Sequence, residues 1–367
     1  MATQLDRLAK VGQSPWIDYL SRPFIREGDL ERLIAEGIAG VTSNPTIFQG
    51  AIAGGDSYDE QLRDVLRTED DPKEVFLALA RADVRNACDL LRNTFDHGEK
   101  TRDGWVSLEV DPNFAYRPQE TISEARSLHA LIDRPNLFVK IPGTEPGLAA
   151  IEESIAAGIP INVTLLFSLE RHRAAAEAYI RGLRRLKDRG GDLAAVGSVA
   201  SFFVSRVDTE ADRRLDEIGG HDELKGTLAI ANAKLAYRTY KDVFSGAEWR
   251  ELQQSGATPQ RCLWASTSTK NPAYRDIVYV EELIGPETVN TMPRETIEAF
   301  QDHGTVEPTL ERDLDGAYRT LERFAHAGID YDDVAQVLER EGVEKFAKSF
   351  SELLDGVNSK REQLVAA

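Results

Sequence analysis

Cysteine is almost missing: Cys88 and Cys262 are the two in 367 residues, so at most one disulfide could form and a disulfide-stapled scaffold is excluded. No stretch approaches the roughly 18 consecutive apolar residues that a bilayer-crossing helix needs. The opening segment MATQLDRLAKVGQS has no apolar run of the kind a secretory signal carries. A surplus of basic residues is missing as well. Lys and Arg number 44 against 62 Asp and Glu, a formal net charge of −18. Nucleic acids and anionic lipid surfaces select cationic faces, so no nucleic-acid and no membrane partner is expected, and a cytoplasmic setting is. A local basic pocket for a phosphorylated metabolite stays compatible with that balance.

The signatures of common cofactor chemistry are absent too. The glycines of GIAGVTSN and SGATPQRC form neither GxGxxG nor GxxxxGK[ST]. The six histidines, His97, His129, His172, His221, His303 and His326, make no HxH or HExxH pair. Neither a metal nor an organic cofactor is expected. Cys262, between Arg261 and Leu263, reads as a core residue.

What remains is an ordinary globular composition, 41% hydrophobic and 29% charged, in which short β-branched runs alternate with amphipathic stretches. Eight candidate strands fall at 15–18, 40–44, 105–110, 136–141, 161–167, 195–204, 261–267 and 288–292. Helical patterns lie between them, at Pro118–Asp133, at Leu169–Asp188 and from about Pro72 to Phe95. No Ser/Gly/Pro linker and no short repeat interrupts the series. Eight strand-helix units predict one closed (β/α)8 TIM barrel, because an open doubly wound sheet usually uses about five to seven strands. The expected domain is 1–367, with residues from about 304 to 367 as a C-terminal helical extension packed on the barrel.

Alternate strand residues face opposite sides, which separates barrel-lining from helix-facing positions. With Leu137, Val139 and Ile141 outward, Phe138 and Lys140 point inward. Val106, Leu108 and Val110 outward leave Ser107, Glu109 and Asp111 inward; Ile161, Val163 and Leu165 leave Asn162 and Thr164. The same parity places Thr42 and Asn44 inward on the second strand and Asp18 on the first. Barrel interiors are mostly apolar, so repeated inward polar groups indicate the substrate-binding C-terminal mouth.

A lone strand lysine is usually an edge residue whose head reaches water. Lys140, between Val139 and Ile141 in NLFVKIPGT, fits an edge poorly. Burial disfavours the ammonium form, and a neutral amine is the nucleophile that forms a Schiff base with a carbonyl. Glu109 could be a structural partner of that amine and Asp18 a cap. Together with it they also supply an acid and a base for imine formation and carbon-carbon cleavage.

Six ordered motifs, GVTSNPTIFQ, VSLEVDP, NLFVKIPGT, INVTLLFS, SVASFFVSRVDT and LWASTSTKNPAY, together resemble the transaldolase family, in its longer bacterial branch. The resemblance runs from about Trp16 to near residue 300. It implies a class I aldolase-type barrel that carries a dihydroxyacetone unit from sedoheptulose 7-phosphate to glyceraldehyde 3-phosphate in the pentose phosphate pathway. By it, Lys140 forms the Schiff base, Glu109 is the acid/base acting through a water that Thr164 holds, and Asp18 takes the C4 hydroxyl proton. Asn44 and Asn162 hold hydroxyls of the dihydroxyacetone unit, with Thr42, Ser201 and Phe203 beside them. Arg206 binds phosphate, and Lys270 stands where the family often carries a second, arginine cation.

The alternatives are a fructose-6-phosphate aldolase-like lyase, a noncatalytic sugar-phosphate-binding barrel, and an enzyme doubling as an adhesin. The lyases are shorter and typically carry Gln where Glu109 stands and Tyr where Phe203 stands. All of Lys140, Glu109 and Asp18 are present, and no basic or secreted N-terminus is seen. Monomer and homodimer are both compatible with the sequence.

Overall fold

A computed structural model describes residues 3–98 and 103–366. Eight parallel strands, β1 Gln13–Asp18, β2 Gly40–Thr42, β3 Trp105–Glu109, β4 Leu137–Pro142, β5 Ile161–Leu166, β6 Ser198–Phe203, β7 Arg261–Ala265 and β8 Thr288–Met292, close into a barrel in chain order. The outward side chains Val41, Val106, Leu108, Leu137, Val139, Ile141, Ile161 and Val163 are all buried against surrounding helices. Each contributes about 1.5–3 kcal/mol by leaving water.

Strand limits shift where local hydrogen bonding outcompetes the ladder. β2 stops at Thr42 because Asn44 leaves the sheet to cap helix Pro45–Ala53, accepting from the Ile47 N–H at 3.0 Å. β6 begins at Ser198 because Asp192 caps a short 3-10 turn at Leu193–Ala195. Asp111 does not follow the inward parity of Glu109. The strand has ended, and Asp111 receives the Lys73 ammonium at 2.9 Å and the Asn113 N–H at 2.9 Å instead. The helix expected from Pro72 to Phe95 is two, Pro72–Leu90 and Arg92–His97, divided where Leu91 takes ψ near −3°.

The barrel interior is apolar below and polar above. At its floor Trp105 stacks on Phe138 at 3.9 Å between centroids, with Trp16 6.2 Å from the same Phe138 ring. Gly40 makes room for this floor: a Cβ there would lie 2.5 Å from the Trp16 ring. Below it, Arg261 reaches Ser14 at 2.8 Å and Asp103 at 3.4 Å. The barrel is filled at this end, and its cavity opens at the opposite, C-terminal end of the strands.

Two further helices follow the barrel, Leu314–His326 and Tyr331–Ala366. The second has 36 residues, about 54 Å of helix, enough to span the mouth. It is fastened at both ends. Tyr331 donates to Asn232 at 2.6 Å, and Lys360 pairs with Asp59 at 2.6 Å on the other side.

Candidate active site

Adjacent strands in register bring the central groups together: Glu109 of β3 lies opposite Lys140 of β4, which lies opposite Asn162 of β5. Lys140 is 5% exposed, and its amine donates to the Ser43 carbonyl at 2.9 Å and stands 3.4 Å from the Glu109 carboxylate. The latter is ion-pair distance without hydrogen-bond geometry, and among the described residues neither Glu109 oxygen receives a hydrogen bond. Burial pushes the Glu109 carboxyl up; Lys140 opposes that shift, and the charge of Asp18 adds to it.

Asp18, at the end of β1, accepts from the Thr42 hydroxyl at 2.7 Å. Thr42 has given its proton there, so Thr291 of β8 is the donor in the 2.7 Å bond between the two threonines. The Asp18 carboxyl is also pushed up by burial, against the pull of Lys140, Thr42, Arg206 and Lys270. Thr164 is buried, and its hydroxyl has no hydrogen-bond partner among the described residues. Just beyond it β5 is irregular: Leu165 takes φ 60° and the register with β6 shifts. That shift re-aims the chain at the point where it leaves the barrel.

Beneath the lysine a hydrogen-bond chain crosses three strands. Ser201 donates to the Asn162 carbonyl at 2.7 Å, and the Asn162 amide donates to Ser107 at 3.1 Å. This fixes which way the Asn162 amide points. Higher up, Arg206 lies 4.9 Å over the Phe203 ring. Lys270, in the loop after β7, donates to Ser268 at 2.7 Å.

These groups surround a cavity of about 300 Å³ at the C-terminal end of the strands. Asp18, Thr42, Asn44, Lys140, Thr164, Ser201, Phe203, Arg206 and Lys270 line it, whereas Glu109 and Asn162 stand behind its wall. Several contributors escape the strand reading, among them the Ser43 carbonyl, Thr291, Glu295, and Lys345 with Phe346 from the long C-terminal helix. Alternation along β8 could have indicated Thr291. Val343, Phe346 and Phe350 mark the buried face of VEKFAKSF, but nothing in the segment says that Lys345 and Phe346 reach the barrel mouth. Cys262 is fully buried, and burial pushes its thiol up, as befits a core residue.

A closed eight-stranded barrel with a buried lysine between two carboxylates at its C-terminal mouth has the architecture of the class I aldolase-type enzymes. A family model described as Transaldolase/Fructose-6-phosphate aldolase matches residues 15–357, and the chain belongs to that family. It is similar to curated transaldolases along its whole length. The one from Parafrankia sp. (strain EAN1pec) is 49% identical over 371 residues, covering 100% of both chains. That of Frankia alni is 49% identical over 358 residues, 96% of each chain. That of Thermobifida fusca is 48% identical over 361 residues, 97% of this chain and 98% of the relative.

Proposed function

We propose that this chain is a cytoplasmic transaldolase, a single barrel domain with residues 304–367 as its helical extension, acting on sugar phosphates through a Schiff base on Lys140. One observation carries the reading: the Lys140 amine stands 3.4 Å from Glu109 in the wall of a cavity that Asp18 also lines.

Lys140 adds to the C2 carbonyl of the ketose phosphate. Glu109 protonates the carbinolamine oxygen, which leaves as water and yields an iminium. Burial that raises the Glu109 carboxyl favours the protonated donor this step needs. The oxygens of Glu109 and the hydroxyl of Thr164 are buried without hydrogen-bond partners among the described residues, which suits the relay of that proton through one water. Asp18 then takes the proton from the C4 hydroxyl. The C3–C4 electron pair moves into the iminium, leaving an enamine on Lys140 and releasing the aldose phosphate. Its raised carboxyl makes Asp18 a stronger base than a solvated aspartate. An acceptor aldehyde takes the pair back, and hydrolysis frees the new ketose phosphate. Arg206 and Lys270 hold the phosphate, Phe203 packs under Arg206, and Thr42, Asn44, Asn162 and Ser201 position the three-carbon unit.

The test is fructose 6-phosphate turnover with and without erythrose 4-phosphate. Release of glyceraldehyde 3-phosphate should require the acceptor. Sustained release without it, with free dihydroxyacetone accumulating, would make the enzyme a lyase.

A further inference from the structure

The C-terminal helix does more than cover the barrel, because one face of it is built into the cavity. Gly342 brings its backbone against the end of β5: a Cβ there would lie 2.9 Å from a Leu165 methyl and 3.7 Å from the Arg206 guanidinium. One turn on, the Phe346 ring lies 5.8 Å from that guanidinium and 6.0 Å from the Lys140 amine. A turn later Thr46 donates to Ser349 at 2.9 Å, tying the helix to Pro45–Ala53. Positions three and four apart share a helix face, so Lys345 must project into the same mouth, and it lines the cavity.

Three cations then meet there: Arg206 after β6, Lys270 after β7, and Lys345 from the helix. Among the described residues none of the three has a carboxylate within ion-pair distance. Elsewhere cations are widely paired, as with Lys234 to Glu282 and Arg214 to Glu210. Arg206, foremost, holds the Lys345 ammonium below the ordinary lysine range, with burial and Lys270 adding to the effect. Asp18 and Glu295 line the same cavity, and the charges of Asp18 and Glu109 act on Arg206 from a distance, but none of them is paired with the three cations, whose mutual repulsion favours a multiply charged anion between them. Lys345 is itself exposed, so packing does not account for its place.

We propose that Lys345 is a phosphate-binding, specificity-determining residue, which closes a three-cation cradle from the C-terminal helix. The inference rests on the transaldolase reading and assigns the helix a task within it. Arg206 supplies a planar fork, and the two lysines supply point charges from loop and helix. The helix thereby makes the enzyme sense whether a sugar carries a terminal phosphate.

The full-length K345M variant tests this, since Met keeps the apolar stem and removes the charge. The KM for fructose 6-phosphate should rise roughly ten- to hundredfold, the range for a lost hydrogen bond to a charged group. Turnover of unphosphorylated fructose should stay at the wild-type level, inhibition by inorganic phosphate should weaken, and K345R should recover most of the loss. An unchanged KM for fructose 6-phosphate, or equal losses on fructose and fructose 6-phosphate, would overturn the assignment. Borohydride reduction of the wild type with fructose 6-phosphate separates the two levels. A wild type that traps substrate beside an indifferent K345M refutes only the role of Lys345. A wild type that traps nothing refutes the Schiff-base reading beneath it.

Discussion

Glu109 and Asp18 are both buried carboxyls pushed up by desolvation, yet they meet different surroundings. Glu109 faces the amine across a strand pair and receives no hydrogen bond from the described residues; Asp18 is held by Thr42, itself tied to Thr291. On the proposed reading the first gives and takes a proton at the carbinolamine oxygen on C2, the second at the C4 hydroxyl beside the breaking bond. Glu109→Gln should therefore slow imine formation itself, seen as a loss of borohydride-dependent trapping rate. Asp18→Asn should still form the imine and stall before cleavage, with turnover down roughly 10²–10⁴-fold. Mass spectrometry of the reduced D18N protein should find the intact six-carbon adduct; the three-carbon fragment alone would remove Asp18 from the base role. The positions of Lys140, Glu109 and Thr164 on their strands were legible because strand alternation survives burial on both sides. Asn44 was legible only in part. Its inward parity came from reading β2 two residues too long, while its place at the cavity comes from capping the next helix.

At the scale of elements, the loop after β7 that carries Lys270 is moored to the helix Ser205–Ile218. Tyr274 donates to Asp212 at 2.5 Å and Tyr279 to Asp208 at 2.8 Å. Asp208 also accepts from the Ala229 N–H at 2.7 Å, and burial, with Asp212 adding, pushes its carboxyl up to about 7. In the unfolded chain the group ionises near the ordinary aspartate value. It therefore contributes stability fully below about pH 4, and loses it as pH rises through 7. Asp208→Asn removes the titration, so the wild type should lose about 3 kcal/mol more than D208N between pH 5 and 8 in urea unfolding. Parallel stability curves would show that Asp208 stays ionised throughout. The C-terminal helix marks the limit of sequence reading at this scale. Its amphipathic spacing foretold packing, but the direction of Lys345 and Phe346 depends on where Gly342 meets β5, a contact between segments about 175 residues apart.

For the whole molecule, the fold was legible because eight separate strand-helix units each announce themselves locally and closure follows from their number and parallel order. Apolar outward parity and polar inward parity then divide the barrel at one level, with the stacked Trp105 and Phe138 below and the lysine with its carboxylates above. What local pattern could not convey was the meeting of three cations at one corner of the cavity, brought there by the helix after β6, the β7 loop and the last helix. The central claim, that the chemistry runs through a covalent bond to one lysine, is open to direct measurement. The protein is incubated with fructose 6-phosphate, reduced with borohydride, digested and mapped by mass spectrometry. The account predicts a single modified peptide, NLFVKIPGT, carrying the adduct on Lys140, and none in Lys140→Met. Modification of another lysine, or turnover retained in Lys140→Met, would contradict it.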